Sequence, residues 1–527
     1  MSKIFYVTTP IYYPNGIPHV GTAYTTIAAD ILARWHKFRQ GRSFFLTGTD
    51  EHGQKVEKAA KSRNLPIQEH VNEMVQNFKK AWEKLNIQYD DFIRTTENRH
   101  TQIAVKIFKT LLDKGEIYKG EYEGWYCVSC ETFWIESQVV EKKCPNSECG
   151  RVVEWVKAEE YFFKLSNYQK KLLEYYDSHP NFVQPTVRFN EVKSLVTRGL
   201  LDICVSRKGL EWGIPVPGDP ERSIYVWIDA LTNYISAIGY DPEQSASSEL
   251  FRNLWPADVH LVGKDILRFH AVIWPAILMA LNLPLPQTLY VHGWLTMSGS
   301  KISKSRGGYR DLMELLEIYG PDPLRYFLMR ETPFGQDLDF SEEGIIRRLN
   351  TDLANDLGNL AHRVLSMIHR YFNGEIPAPE TLEPLDLKLK EEANNLPETI
   401  EKFLSSLQFR EALMSINDLI VLGNKYVDET APWKLKKEGK EKRLGTVLYL
   451  MADLCRMTAL ALSPFLPAAA SNLWRQLNLE GDVHLQPFSE FSSGKLVSGR
   501  KIGEPSPLFQ KIDEKKDASS KEEISNV

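Results

Sequence analysis

The sequence predicts an α/β protein: a doubly wound, mostly parallel sheet split by an insertion and followed by an α-helical bundle. Three observations carry this. Short β-rich runs alternate with helix-periodic stretches over residues 1–115 and again over 218–295. Between them, residues 116–217 are aromatic and glycine-rich and contain four clustered cysteines. From residue 341 onward apolar side chains recur almost wholly at helical spacing.

The elements follow in order. Ile4-Phe5-Tyr6-Val7 is a short strand, and the prolines and Asn15-Gly16 after it force a loop. Ile27, Ala28, Ile31, Leu32, Trp35 and Phe38 then fall on one helical face, so a helix starts near Gly21. A strand over 43–47, helices over 56–63 and 68–85, a strand over 89–93 and a helix over 99–115 complete the first half. After the insertion, Trp212-Gly213-Ile214-Pro215-Val216-Pro217 is a rigid connector. Strands are expected over 224–228, 259–265 and 288–293, with a helix over 267–281. Ile345, Leu349, Leu353, Leu357, Leu360 and Val364 mark one apolar face of the bundle. Further helices are expected over 387–407, 410–429, 443–460 and 465–477. Residues 503–527 are charged, poor in apolar side chains and expected to be disordered.

Composition sets outer bounds. A chain of 527 residues holds two to four domains with cores of their own. With 43% hydrophobic and 25% charged residues it reads as a globular protein. No basic, apolar leader follows Met1, and the longest apolar run, 271–281, is shorter than the roughly 20 residues a membrane span needs. A soluble, cytoplasmic protein without a membrane partner is expected. The net charge of −5 argues against indiscriminate nucleic-acid binding, but leaves room for RNA contact through local basic faces.

Two stretches carry chemistry. His19 and Gly21 stand at a predicted helix N-terminus, where free amides and the helix dipole attract phosphate and glycine permits close approach. The plainer reading is a helix start capped by Thr22. Far downstream, Lys301-Ile302-Ser303-Lys304-Ser305-Arg306-Gly307 places two lysines on a serine- and glycine-rich loop, a cationic clamp for polyphosphate or simply an exposed basic loop.

Cys127, Cys130, Cys144 and Cys149 form two short loops whose thiolates can close a tetrahedron around one zinc ion. A disulfide is at odds with a reducing compartment, and a redox Cys-x-x-Cys leaves the second pair unexplained. Four thiolates leave no open position, which makes the metal structural. Cys204 and Cys455 lie alone in apolar surroundings and read as core residues.

The glycine turn and the lysine loop together resemble the His-Ile-Gly-His and Lys-Met-Ser-Lys-Ser signatures of class I aminoacyl-tRNA synthetases. Thr22 replaces the second histidine and Ile302 the methionine, and the motif leaves the role of position 22 open. Within that class the chain is similar to methionyl-tRNA synthetases up to about residue 487. The likeness rests on Tyr12-Tyr13-Pro14, Thr47-Gly48-Thr49-Asp50-Glu51-His52-Gly53, the cysteine knuckle, Gly263-Lys264-Asp265 and Ala431-Pro432-Trp433.

The resemblance implies a Rossmann-like nucleotide-binding domain (1–115 and 218–295) interrupted by the zinc-bearing insertion (116–217). It further implies a stem-contact region with the lysine loop (296–340), an anticodon-binding bundle (341–490) and a tail (491–527). The implied reaction is ATP-dependent activation of methionine to its adenylate, then transfer to tRNA(Met), with magnesium accompanying ATP. His19, Gly21, Thr22, Lys301, Ser303 and Lys304 would bind ATP, with His19, Lys301 and Lys304 catalytic. Ile11, Tyr13, Asp50, Trp227, Ala230, Leu231, Tyr234, Ile266, His270 and Trp274 would bind methionine. Aromatic walls suit a polarizable thioether, with Tyr13 or His270 as a weak donor to sulfur, and Asp50 suits the α-ammonium.

Asn359, Arg363 and Trp433 would read the anticodon. Lys434, Lys436, Lys437, Lys440, Lys442 and Arg443 are either phosphate contacts or a solvated face. The rivals are a leucyl or cysteinyl enzyme, or a catalytically silent RNA-binding relative. The short insertion disfavours the leucyl enzyme, and a closed metal site disfavours the cysteinyl one. A silent relative would have lost His19, Asp50, Lys301 or Lys304. With no further module visible after the bundle, a monomer is expected.

Overall fold

The chain opens β1 (Phe5–Thr8), α1 (Val20–Gln40), β2 (Ser43–Thr49), α2 (Gln54–Ser62), α3 (Ile67–Lys84), β3 (Asp91–Arg94) and α4 (Asn98–Asp113). β4 (Ile117–Cys127), β5 (Thr132–Trp134), β6 (Glu154–Phe163), α5 (Gln169–Ser178), β7 (Val183–Gln184), α6 (Thr186–Thr197) and β8 (Ile203–Cys204) follow. Next come β9 (Ser206–Lys208), β10 (Pro215–Val216), β11 (Asp219–Ile224), α7 (Val226–Ser236), α8 (Glu249–Leu254), β12 (Val259–Gly263), α9 (Trp274–Ala280) and β13 (Thr288–His292). This is a computed structural model that describes residues 3–127, 132–134, 136, 139–145, 150–244, 248–297, 300–301 and 311–513. The chain divides into two units: Met1–Pro18, Phe44–Lys80 and Tyr89–His292 in the first, His19–Ser43, Ala81–Gln88 and Gly293–Val527 in the second.

A six-stranded sheet, ordered β3-β2-β1-β12-β13-β7, is the frame of the first unit. Its β2–β3, β1–β12, β12–β13 and β13–β7 pairs are parallel. All five residues of β12 are buried, the polar His260 among them, as in strands covered on both faces. Gly48 is required where β2 meets β3, because a Cβ there would lie 2.0 Å from the Ile93 carbonyl oxygen. The edge strand β7 comes from within the predicted insertion. The rest of that segment builds an antiparallel sheet, β5-β4-β6-β8, and shares in a smaller one, β10-β11-β9.

Two expectations are corrected here. The strand expected over 224–228 is a junction: β11 ends at Ile224, and Val226 already begins α7. A short apolar run carries no period of its own, and Asp229 in the first turn together with Ala230, Leu231 and Tyr234 continues it as a helix. The helix expected over 267–281 runs without a break from residue 267 to residue 280, but it is not regular: a 3₁₀ turn (Lys264–Ile266) leads into it, and a π-helical turn (Phe269–Ile273) precedes α9. Pro275 is the cause. It has no N–H for the Ala271 carbonyl four residues back, and Tyr176 donates its hydroxyl to that oxygen instead at 2.6 Å.

In the second unit α1 is joined by a small sheet of β14 (Leu295–Met297), β15 (Ser300–Lys301) and β16 (Leu338–Asp339), ordered β15-β14-β16. Its helices are α10 (Leu312–Tyr319), α11 (Pro321–Arg330), α12 (Glu342–Arg348), α13 (Asn359–Phe372), α14 (Pro384–Leu404), α15 (Phe409–Thr430), α16 (Pro432–Lys437), α17 (Glu441–Leu462) and α18 (Pro467–Gln476). The six apolar residues from Ile345 to Val364 are all buried, and a π-helical stretch, Leu349–Gly358, joins α12 to α13. Among the described residues α17 is the one helix long and apolar enough to cross a membrane, but its 18-residue apolar stretch is fully buried within the bundle.

Helix α1 is anchored within this unit by polar contacts. Asp30, fully buried, accepts from Arg34 Nε at 2.9 Å and from Arg325 Nη2 at 2.7 Å. Arg325 also donates to the carbonyls of Leu85, Pro464 and Phe465, so its buried charge is paired and each of its three nitrogens is bonded. Trp35, the residue directly after Arg34, donates its indole N–H to Glu401 at 2.5 Å. At the start of α18 the Ala469 amide is accepted by buried Asp322 at 2.6 Å.

Candidate active site

In the second unit, the start of α1 is built by its own three residues. His19 is the N-cap, in extended conformation, and its Nδ1 accepts from the Gly21 amide at 3.0 Å. Nε2 therefore carries the proton of the neutral ring. Thr22 is the reciprocal member of the capping box: its hydroxyl accepts from the His19 amide at 3.1 Å and donates to the His19 carbonyl at 2.6 Å. The cap is thus His19, with Thr22 its partner three residues on. A Cβ at Gly21 would lie 2.8 Å from His19 Cε1, so a side chain there would displace the imidazole from its bond to the Gly21 amide.

The backbone of Lys301 pairs with Thr296 in the β14–β15 hairpin. Its side chain, and all of Ser303 and Lys304, lie outside the described residues.

The residues expected to hold the amino acid all belong to the first unit. Asp50 ends the extension of β2, is 3% exposed, and donates its amide to the Tyr12 carbonyl at 2.9 Å. Lys55 Nζ lies 4.7 Å from the centre of the Tyr13 ring. Helix α7 carries Trp227, Ala230, Leu231 and Tyr234, and the irregular helix after β12 carries Ile266, His270 and Trp274. Trp227 stacks on Phe269 with ring centres 3.4 Å apart, and Tyr234 lies 6.0 Å from Trp274. Ile11 and Ile266 pack, partly buried, against the same core. Trp227 Nε1 and Trp274 Nε1 are buried with no hydrogen-bond partner among the described residues. Such donors are costly unless a ligand meets them.

His270 is committed within the protein. Its Nδ1 faces the Ile266 carbonyl at 3.0 Å and so carries the proton. Nε2 then accepts from the Tyr234 hydroxyl at 2.7 Å. Burial pushes its pKa down to about 4 and keeps the ring neutral near pH 7. Both ring nitrogens are thus engaged within the protein, one of them on the Tyr234 hydroxyl. Tyr6 adds a hydrogen bond from its hydroxyl to the Tyr234 carbonyl at 2.8 Å.

Sequence reasoning quoted Glu51 and His52 only as motif letters, and the structure gives both partners. Buried Glu51 takes two hydrogen bonds from Arg94, at 2.7 and 3.0 Å, and others from Thr49 and Thr96. His52 and His100 both bond to Asp229 of α7, each at 2.7 Å. Nothing in the sequence signals this, because His52 and Asp229 are 177 residues apart.

Cys127 and Cys144 are buried in one small cluster with Val153, against which Trp125, Trp134 and Val139 pack. The insertion thus brings one cysteine of each predicted pair together in an apolar shell, a donor chemistry and setting that fit zinc. Cys130 and Cys149 lie outside the described residues. Cys204 and Cys455 are buried free thiols, each pushed up to about 12 by burial, as core residues should be.

In the bundle, Arg363 and Trp433 are neighbours: the guanidinium carbon lies 5.9 Å from the ring centre, and Arg363 donates to Asp428 at 2.7 Å. Trp433 is 43% exposed, early in α16, after Ala431 with φ of 44°. Asn359 is exposed and starts α13 where the π-helical stretch ends. Of the basic run, Lys436, Lys440 and Lys442 pair with Glu441, Glu438 and Glu380. Arg443 grips buried Asp386 through two hydrogen bonds and is structural.

The family described as tRNA synthetases class I (M) matches residues 5–365, a span that includes both the parallel sheet and the histidine-capped start of α1. The family described as the anticodon binding domain of methionyl tRNA ligase matches residues 376–526. The methionine–tRNA ligase of Caldanaerobacter subterraneus subsp. tengcongensis is 50% identical, covering 99% of this chain and 81% of its own length. That of Thermotoga maritima is 47% identical over 97% of this chain and 81% of its own length. The structure of Mycobacterium tuberculosis methionyl-tRNA synthetase in complex with methionyl-adenylate is similar at a TM-score of 0.91 and 41% identity, covering 96% of this chain and all of that one. The chain belongs to the methionyl-tRNA synthetase family.

Proposed function

We propose that the chain activates methionine with ATP and transfers it to tRNA(Met) in the cytoplasm, using the residues assigned above. The observation that carries this reading is the set of side chains that the first unit gathers around Asp50 and α7. There a buried carboxylate, Asp50, and aromatic side chains suit the two ends of methionine, an ammonium and a thioether.

The methionine carboxylate attacks the α-phosphorus of ATP and pyrophosphate leaves. Asp50 binds the α-ammonium and so orients the attacking carboxylate. At the start of α1 the His19 Nε2–H and the amides around Gly21 donate to phosphate oxygens. Lys301 and Lys304, with Ser303 beside them, neutralise charge as it grows on the leaving pyrophosphate, so their gain lies in the transition state. Magnesium, when bound with ATP, shares that charge. The terminal ribose hydroxyl of the tRNA then attacks the carbonyl carbon of the adenylate, the acyl–phosphate bond breaks, and AMP leaves as the methionyl ester forms.

Residues 116–217 serve as the insertion, where Cys127, Cys130, Cys144 and Cys149 would hold one structural zinc. Residues 341–490 serve as the anticodon reader, with Asn359, Arg363 and the exposed Trp433 meeting splayed bases. The test is ATP–pyrophosphate exchange with each standard amino acid in turn. Methionine should drive exchange far above the rest, and exchange led by any other amino acid would end the reading.

A further inference from the structure

We propose that Asp229 is a positioning residue for the amino-acid pocket, acting through His52 on the turn that carries Asp50. The inference rests on the assignment of Asp50, Trp227, Ala230 and Leu231 to methionine.

Asp229 lies on α7 between Trp227 and Ala230 and is 1% exposed. Its Oδ2 accepts from His52 Nδ1 and its Oδ1 from His100 Nε2, both at 2.7 Å. The far nitrogen of His100 returns to α7, 2.8 Å from Ser236 Oγ. One carboxylate therefore ties α7 to α4 and to the turn after β2. The groups facing this pair are few. Asp229 meets the two histidines; His52 meets Asp229, its neighbour Glu51 and the ring of Trp212, centred 5.9 Å away. Burial works against charge on both partners, yet their attraction raises the pKa of His52 and brings that of Asp229 down to about 2. An ionised carboxylate so buried is held in one geometry by its donors, because any departure leaves charge unpaired.

The other side of the turn is equally fixed. Glu51 is clamped by Arg94, Thr49 and Thr96, and its carbonyl accepts the Trp212 indole N–H at 2.6 Å. Gly53 donates its amide to the Trp212 carbonyl at 3.0 Å. The two residues after Asp50 are thus each immobilised, one onto β3 and its following loop, the other onto the helix that supplies the pocket wall. Asp229 sets the distance between the carboxylate that would hold the ammonium and the indole that would face the thioether. It touches neither end of the substrate.

The test uses the full chain in ATP–pyrophosphate exchange, with melting temperatures measured in parallel. Asp229→Asn and His52→Ala should each raise KM for methionine tenfold or more, with KM for ATP within twofold, since a displacement of the pocket walls of about an ångström has effects of this size. His52→Gln, which keeps a donor without the charge, should fall between His52→Ala and the unaltered chain. Combining Asp229→Asn with His52→Ala should add less than twofold, because one contact is lost either way. Asp50→Asn is the control for the underlying assignment. If it leaves KM for methionine unchanged, the pocket assignment itself falls. If Asp50→Asn raises that KM while Asp229→Asn and His52→Ala lower only the melting temperature, the network is merely structural and the proposal is overturned. Should Asp229→Asn not fold, the His52 pair decides alone.

Discussion

Thr22 grips both sides of the His19 backbone, accepting from its amide at 3.1 Å and donating to its carbonyl at 2.6 Å. A hydroxyl at this position therefore fixes the N-cap whose side chain is folded over Gly21. Thr22→Ser should keep the box and run at nearly the original rate. Thr22→Val keeps the shape but loses both bonds, and a lost cap of about 1 kcal/mol corresponds to roughly fivefold slower adenylate formation. Rapid-quench measurement of the adenylate checks this, and equal rates in Thr22→Val and the unaltered chain would refute it.

Lys304→Ala should slow adenylate formation by several powers of ten while the Kd for methionine changes little, because the charge is used only as pyrophosphate departs. Equilibrium binding and single-turnover kinetics on one preparation separate the two. An unaltered single-turnover rate would remove Lys304 from the catalytic set.

Trp433 packs with Arg363 rather than in the core and keeps 43% of its surface open. Trp433→Ala should leave tRNA-independent exchange intact and depress aminoacylation. Stacking of one base is worth roughly 1–3 kcal/mol, or about one to two powers of ten in affinity. Equal loss in both assays would make Trp433 a structural residue.

Metal analysis of the purified chain should find about one zinc, and Cys127→Ser should lose metal and melting temperature together, since binding and folding of such a knuckle are linked. A fully loaded Cys127→Ser variant would contradict the four-cysteine assignment.

Asp322 is buried with one oxygen on the Ala469 amide, and burial pushes its pKa up to about 6. A pKa raised in the folded state means stabilisation that is complete below the unfolded value near 4 and lost as pH rises through about 6. Asp322→Asn removes that dependence. Between pH 4 and pH 7.5 the unaltered chain should lose roughly 2–3 kcal/mol relative to the variant. Denaturant midpoints for both proteins at the two pH values measure it, and a gap independent of pH would show that Asp322 is ionised throughout.

Legibility from sequence followed physical locality. Strands β12 and β13 are plain in the letters because burial on both faces leaves short runs that are mostly apolar and β-branched or aromatic. The long bundle helices are plain for the same reason at a different period. Tyr225-Val226-Trp227-Ile228 misled because four apolar residues fit either element, and the deciding residues lie one turn further on. An irregularity around His270 is implied by Pro275, but the bond from Tyr176 of another helix to the Ala271 carbonyl is not. Site residues were legible only where a motif gathers them, as in Thr47 to Gly53. The partners of Glu51 and His52 come from Arg94, His100 and Asp229, and no local pattern announces a pairing that the topology alone creates.

The ion pair of Asp30 with Arg325 sets a clock on synthesis. The two residues are separated by 295 positions, and at about 5–20 residues per second a ribosome takes on the order of 15–60 s to cover them. Until then the carboxylate has only Arg34 and the Gln88 amide, and the Pro464 and Phe465 carbonyls that complete the guanidinium's shell arrive later still. The helix bearing His19 and Gly21 is thus among the first to be translated and among the last to be locked in place. A nascent chain carries its nucleotide signature long before it has a finished helix to present it.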